Sequence, residues 1–188
     1  PVILNGRISM DYHRRKFEMM CREASRWTDR CVFSFVDVYG KLIGLEETGA
    51  IRRLRPHEMD EFAAMASRVA EDHGITLSCC CERRDLSAFG IERRACLDRE
   101  TLRALDIPYE TQRSPLREGC TCVRSIDIGE YDTCGHGCIY CYAGRSGSDP
   151  SRRRLYSDDT ELLWGALMPR DTVVDLRGRD ASRIDSYI

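Results

Sequence analysis

Three cysteines near the carboxyl end of the chain have the residue type and spacing of a metal-binding motif. They lie in the stretch C-G-H-G-C-I-Y-C, at Cys134, Cys138 and Cys141, and are called the cysteine trio below. Cysteine thiolate is the usual ligand of a [4Fe–4S] cluster, and three protein thiolates leave one of its four irons open for a small molecule. Structural zinc sites use a cysteine pair with a matching second pair, whereas the trio is asymmetric. The spacing therefore favours an iron–sulfur cluster, with zinc and unligated thiols as the alternatives.

Four other cysteines form a second candidate metal site. Cys80 ends a predicted strand, where α/β folds place their ligands, and Cys120 and Cys122 lie shortly before the trio. Cys96 begins a Cys-Leu-Asp stretch. Four thiolates can hold a second iron–sulfur cluster or a tetrahedral zinc. The alternative is that Cys80 and Cys96 are small buried hydrophobic residues, as free cysteines often are.

The composition indicates a reducing compartment and excludes two classes of partner. The chain has 11 cysteines in 188 residues, and an odd number does not suit a closed disulfide framework. No secretory signal opens the sequence and no apolar run has the length that spans a bilayer, so we expect a cytoplasmic protein without a membrane partner. The formal net charge is −2, which gives no electrostatic case for nucleic acid as an obligatory partner.

Helical and strand patterns alternate in the first half of the chain. Apolar residues recur at helical spacing from Ser9 to Trp27, and again in a helix that Pro56 opens and Gly74 closes. Strands are predicted at 31–39 and 75–79, so strand, helix and strand form a βαβ unit with a right-handed crossover. Residues 1–4 have the pattern of the end of a buried strand, from which we expect a chain cut from a longer one.

The second half has weaker patterns. Asp98 is a predicted cap of a short helix, and a second short helix is predicted at 160–167. A Gly/Ser-rich linker is predicted at 144–148, and a short apolar run follows at 173–176.

Asp37 is the candidate catalytic residue. It lies at the C-terminal end of the first complete strand, the edge at which barrel enzymes place their functional groups. An aspartate in a strand-to-helix loop is more often a turn or cap residue, and this alternative stays open.

The run from Cys120 to Ala143 resembles the C-terminal signature of a bacterial family known as domain of unknown function 1848, and blocks at 31–37, 80–86 and 96–98 also match that family. Its cysteine cluster is similar to that of radical S-adenosylmethionine (SAM) proteins. The resemblance implies an α/β fold, namely the later part of a (βα) barrel-like, TIM-type fold, over residues 1–119. An iron–sulfur segment at 120–143 and a tail at 144–188 that packs on the same domain complete the expected organisation.

The resemblance also implies a function. A [4Fe–4S] cluster on the trio would pass one electron to SAM and give a 5′-deoxyadenosyl radical that acts on an unknown small-molecule or macromolecular substrate. Tyr140 would lie beside the adenine, an auxiliary cluster would use the second cysteine set, and a donor such as flavodoxin or ferredoxin would supply the electron.

Two features depart from the radical SAM pattern. Only a short tail follows Cys141, whereas the cysteine loop of that superfamily follows the first strand, and the chain has no Gly-Gly-Glu stretch. The alternative function is a non-catalytic metal-binding protein with structural zinc or an electron-transfer cluster.

Overall fold

The chain divides into two compact units, Pro1–Ser125 and Ile126–Ile188. The computed structural model describes residues 1–109, 119–125, 129–134, 136–144 and 157–173. The boundary between the units separates the two cysteine sets, because Cys120 and Cys122 belong to the first unit and the trio belongs to the second.

The first unit is an α/β structure, which confirms the α/β part of the predicted fold class. Its helices and strands, in chain order, are α1 (Met10–Ala24), β1 (Arg30–Phe33), α2 (Ile43–Glu47), α3 (Pro56–Asp72), β2 (Thr76–Cys79), β3 (Glu92–Arg93) and α4 (Arg99–Ala104). The three strands form a parallel sheet in the order β1-β2-β3. Within the described residues the sheet is open, and no closed barrel is formed.

The predicted βαβ unit is confirmed by the pairing of β1 with β2. Cys31 lies opposite Leu77 and Phe33 lies opposite Cys79 in a parallel register, and α3 connects the two strands. The N-terminal segment lies beside the segment after β1, where Val2 forms an isolated parallel bridge with Phe35. The three strands of the sheet themselves follow the chain order.

An aromatic cluster packs the helices against the sheet. The ring of Phe62 on α3 lies 5.3 Å from that of Phe33, 5.7 Å from that of Phe35 and 6.4 Å from that of Phe17 on α1, measured between centroids. Edge-on and tilted aromatic pairs each add about 0.5–1.5 kcal/mol to the burial of their area. This cluster fixes the end of β1 and the segment that follows it.

Helix α1 ends earlier than its apolar pattern predicts. The side chain of Ser9 accepts a hydrogen bond from the N–H of Tyr12 and so caps the first turn. Phe17 and Cys21 are buried against the core. Trp27, which the pattern placed on the apolar face, is 89% exposed and lies beyond the helix, so the prediction was wrong for this residue.

The predicted helix at 160–167 is wrong, because residues 157–173 form turns and bends. The hydroxyl of Thr160 accepts a hydrogen bond from the N–H of Leu162, a local contact that competes with a helical turn. Leu163 and Leu167 are exposed, so no buried apolar face supports a helix here. Most of the predicted linker at 144–148 and of the apolar run at 173–176 lies outside the described residues.

None of the described helices combines the length and the apolar character that crossing a bilayer requires.

Candidate metal centres and a neighbouring pocket

The cysteine trio lies on one loop of the second unit. Cys134 and Cys138 are exposed, and Cys141 is half-buried. The N–H of Cys141 donates to the carbonyl oxygen of Cys138 at 3.1 Å, so the end of the motif is a tight turn. Gly137 has a φ of 63°, a conformation that glycine adopts at little cost. The thiols of this turn are therefore accessible to a metal ion or cluster from solvent.

The loop that carries the trio is closed at its base. The N–H of Asp132 donates to the carbonyl oxygen of Ala143 at 2.9 Å. Next to this bond the rings of Tyr131 and Tyr142 meet edge to face, with centroids 6.3 Å apart. Because the loop ends are already held together, ligand binding has less chain entropy to overcome than on an open segment.

The trio supplies thiol donors, the ligand type of both zinc sites and iron–sulfur clusters. No three His, Cys, Asp or Glu side chains within the described part of the chain are gathered as ligands of one metal ion. Around one tetrahedral ion, with metal–sulfur bonds of about 2.3 Å, the sulfur atoms lie about 3.8 Å apart. In a [4Fe–4S] cluster each cysteine binds a different iron, so its thiolates need not converge on one point. Three accessible thiols on a closed loop satisfy that requirement.

Three cysteine-bearing segments of the first unit lie beside the end of β2. The N–H of Arg94 donates to the carbonyl oxygen of Cys79 at 2.9 Å, and the N–H of Val123 donates to that of Leu97 at 3.2 Å. The backbone of Gly119 packs against that of Cys81, since a Cβ atom added to Gly119 would lie 3.8 Å from the Cα of Cys81. These contacts make neighbours of segments that are far apart in sequence. The cysteines that they carry, besides Cys79, are Cys80, Cys81, Cys96, Cys120 and Cys122.

The thiol of Cys122 interacts with two neighbouring segments of the first unit. The backbone N–H groups of Leu97 and Cys96 donate to its sulfur, and the thiol of Cys120 is in hydrogen-bond contact with it. Burial raises the pKa of the Cys122 thiol, whereas the two N–H donors act in the opposite direction because they favour the thiolate. Hydrogen bonds of this kind to cysteine sulfur also tune metal–thiolate centres. The side chain of Cys96 is itself exposed.

Cys80 and Cys81 form a close thiol pair where β2 ends. Their sulfur atoms lie 3.4 Å apart. Cys81 has a φ of 57°, which residues other than glycine rarely adopt, and such torsions often occur at functional sites. Cys80 is buried, and Cys81 lines a pocket. Cys81 was not predicted as a metal ligand, because neither its backbone torsion nor the distance between its sulfur and that of Cys80 has a signal in the sequence.

The pocket lies at the carboxyl edge of β1 and β2 and has a volume of about 470 Å³. Asp37, which follows β1, lines it, as expected from its predicted place at this edge. The carboxylate of Glu82 also lines the pocket and accepts a hydrogen bond from the N–H of Phe35 at 2.7 Å. This bond ties the segment after β2 to the segment after β1. The apolar part of the lining includes Phe35, Val36, Leu54 and Met59.

Two arginines of the pocket lining are anchored by carboxylates. The Nε of Arg84 donates to Asp60 at 2.5 Å, and this bond lowers the pKa of Asp60. The Nε of Arg53 lies 3.1 Å from a carboxylate oxygen of Glu46. Each guanidinium has five N–H donors, so these bonds hold the groups in place and leave donors to spare.

Comparison with known proteins identifies a family over most of the chain. Residues 1–143 match the model of the family described as Domain of unknown function (DUF1848). A search of curated proteins and a search of solved structures each gave no match. The matched range contains the cysteine trio, the second cysteine set and Asp37.

Proposed function

The chain belongs to the DUF1848 family, and we propose that it is an iron–sulfur protein of the radical SAM type. Cys134, Cys138 and Cys141 hold a [4Fe–4S] cluster and leave one iron for SAM. The observation that carries the proposal is the C-x3-C-x2-C motif on a closed loop whose thiols are accessible. When bound, such a cluster supplies one electron to SAM, whose sulfur–carbon bond breaks to give methionine and a 5′-deoxyadenosyl radical.

In this proposal the chain's own residues bind and position the reactants. The hydrogen bond from Asp132 to Ala143 keeps the ends of the cysteine loop together, which holds the trio as one ligand set. Tyr140 is half-buried. It lies between two of the proposed cluster ligands, which supports a position beside the molecule on the open iron. We assign it contact with the adenine of SAM, because aromatic side chains stack on bases.

We assign the pocket at the carboxyl edge of the sheet to a substrate, with Asp37 as its candidate catalytic residue. Its volume of about 470 Å³ falls in the range of small-molecule sites, and its lining combines apolar side chains with a few polar groups. The electron comes from a separate donor such as a flavodoxin or ferredoxin.

We also propose that the open sheet is one sector of a (βα) barrel. Three observations support this: the strand order follows the chain order, the paired strands are parallel, and Val2 forms an isolated parallel bridge with Phe35, just after β1. Barrel enzymes carry their functional groups at the carboxyl ends of the strands, which is where Asp37 and the pocket lie.

The experiment that tests the function is metal analysis of the full chain, purified and reconstituted without oxygen. We expect a brown protein with iron and acid-labile sulfide, and a loss of about four irons per chain in Cys138→Ser. Cys31→Ser is the matched control, because Cys31 lies on β1 outside both cysteine sets, and it should keep the full iron content. A colourless protein with stoichiometric zinc would support the alternative, a non-catalytic zinc protein.

A further inference from the structure

The cysteines of the first unit occur as two close pairs. The sulfur atoms of Cys80 and Cys81 lie 3.4 Å apart. Cys120 and Cys122 lie two residues apart on one segment, and the side chain of Cys120 acts on the Cys122 thiol. Two thiolates on one tetrahedral metal atom, with metal–sulfur bonds of about 2.3 Å, lie about 3.8 Å apart. The sulfur atoms of Cys80 and Cys81 therefore lie at nearly the separation of two thiolates on one metal atom. A shift of a few tenths of an ångström brings them to that separation.

The two pairs are neighbours. Gly119 precedes Cys120, and a Cβ atom built on Gly119 would lie 3.8 Å from the Cα of Cys81 and 3.9 Å from its carbonyl oxygen. Cys122 and Cys80 are both buried, with exposed fractions of 7% and 6%. The thiols thus lie in a part of the first unit that is partly shielded from water, where thiolates need a counter-charge.

We infer that Cys80, Cys81, Cys120 and Cys122 hold a second metal centre, a [2Fe–2S] cluster in which each pair binds one iron. A two-iron cluster takes four cysteines, two on each iron. A four-iron cluster gives every thiolate its own iron, so it does not account for two close pairs. A zinc ion held by both pairs is the alternative, and the metal analysis below separates it from the two-iron cluster. This inference goes beyond the proposed function, because it concerns the first unit and uses none of the trio.

In this second centre Cys81 is a metal ligand in place of Cys96, which the sequence predicted as a ligand. The side chain of Cys96 is exposed, and its backbone N–H, like that of Leu97, interacts with the sulfur of Cys122. Cys96 is therefore a positioning residue that acts through its main chain, and serine at this position preserves that contact. Because Cys81 also lines the pocket, the second centre borders the pocket that contains Asp37 and Glu82.

The test uses the full chain with Cys134, Cys138 and Cys141 all changed to serine, which removes the ligands of the first cluster. After anaerobic reconstitution we expect about two irons and two sulfides per chain, and a paramagnetic signal on one-electron reduction. Adding Cys81→Ser or Cys122→Ser should remove this iron, whereas adding Cys96→Ser or the control Cys31→Ser should retain it. Absence of metal, stoichiometric zinc or about four irons would overturn the inference, as would loss of iron in Cys96→Ser with retention in Cys81→Ser.

A second measurement separates loss of metal from loss of fold. In a chain with the trio intact, Cys81→Ser should lose about two irons and keep the iron of the trio, and circular dichroism should show the helical signal of the wild type. Loss of all iron together with the helical signal would contradict this local role of Cys81. Because Cys138→Ser reports on the trio and Cys81→Ser on the second centre, failure of one proposal is distinguishable from failure of the other.

Discussion

Cys81 adopts its φ of 57° where β2 ends, and this torsion determines the direction of the chain after Cys80. A left-handed conformation costs a residue with a side chain roughly 1–2 kcal/mol. The surrounding contacts offset that cost, and the hydrogen bond from the N–H of Phe35 to Glu82 is one of them. The result is a pair of adjacent thiols of which one is buried and the other lines the pocket.

Tyr140 is expected to contribute to SAM affinity and not to hold the cluster. An aromatic–base contact is worth about 1–3 kcal/mol, so Tyr140→Ala should weaken SAM binding by about five- to 150-fold without loss of iron. Tyr140→Phe keeps the ring and should bind SAM almost normally. Isothermal titration of SAM into samples of equal iron content measures the effect. Unchanged affinity per cluster in Tyr140→Ala, with lower cluster occupancy, would show that Tyr140 only packs the loop.

Asp37 is expected to act on the substrate and not on the fold. It is exposed at the pocket, and Asp37→Asn removes its charge with little change of shape. If its carboxylate transfers a proton, the variant should lose about 100-fold or more of the substrate-stimulated release of 5′-deoxyadenosine per cluster. A small-molecule extract can serve as the substrate source. A lower melting temperature with unchanged activity per folded molecule would instead identify Asp37 as a structural cap.

At the scale of elements, the start of α3 contains a charge-dependent cap. Glu58 accepts hydrogen bonds from the N–H of Arg55 and from both terminal nitrogens of the Arg52 guanidinium, each at 2.7 Å. The hydrogen bonds from Arg52 are the main cause that lowers the pKa of Glu58, to about 2. Capping interactions of this kind are typically worth about 1 kcal/mol, so Glu58→Ala should lower the free energy of unfolding by about that amount.

The same cap predicts a pH dependence. An unfolded glutamate has a pKa of about 4.3, so the stabilisation by ionised Glu58 is present above that pH and is lost as the pH falls toward 2. The difference in free energy of unfolding between wild type and Glu58→Gln should therefore shrink from pH 6 to pH 3. Glu61→Gln, on the same helix at an exposed position, is the control and should show no such trend. A constant difference for Glu58→Gln across this range would refute the charged cap.

The starts of α1, α3 and α4 could be predicted because their signals are local. Ser9, Pro56 and Asp98 act within one turn of the helices that they begin. Strand β1 is shorter than its predicted range of 31–39, because strand pairing depends on a distant partner, and regular pairing with β2 stops at Phe33 and Cys79. The helix predicted at 160–167 failed for the related reason that an apolar pattern needs a surface on which to pack.

At the scale of the whole molecule, the two units each carry their own cysteines. The trio could be proposed as a ligand set from the sequence because its three cysteines lie within eight residues on one loop. The second set spans segments from 79–81 to 119–122, so only the fold shows that Cys81 pairs with Cys80 and that Cys96 contributes its main chain to Cys122. A sequence lists such cysteines, whereas their grouping depends on tertiary contacts.

The measurement that tests the central claim most directly is the electron paramagnetic resonance spectrum of the reduced, reconstituted full chain, recorded with and without SAM. Binding of SAM to the open iron changes the surroundings of the cluster, so we expect the signal to change on addition of SAM. The change should be absent in Cys138→Ser, while any signal of the second centre should persist. A protein that carries the full iron of the trio and gives identical spectra with and without SAM would contradict a radical SAM centre at Cys134, Cys138 and Cys141.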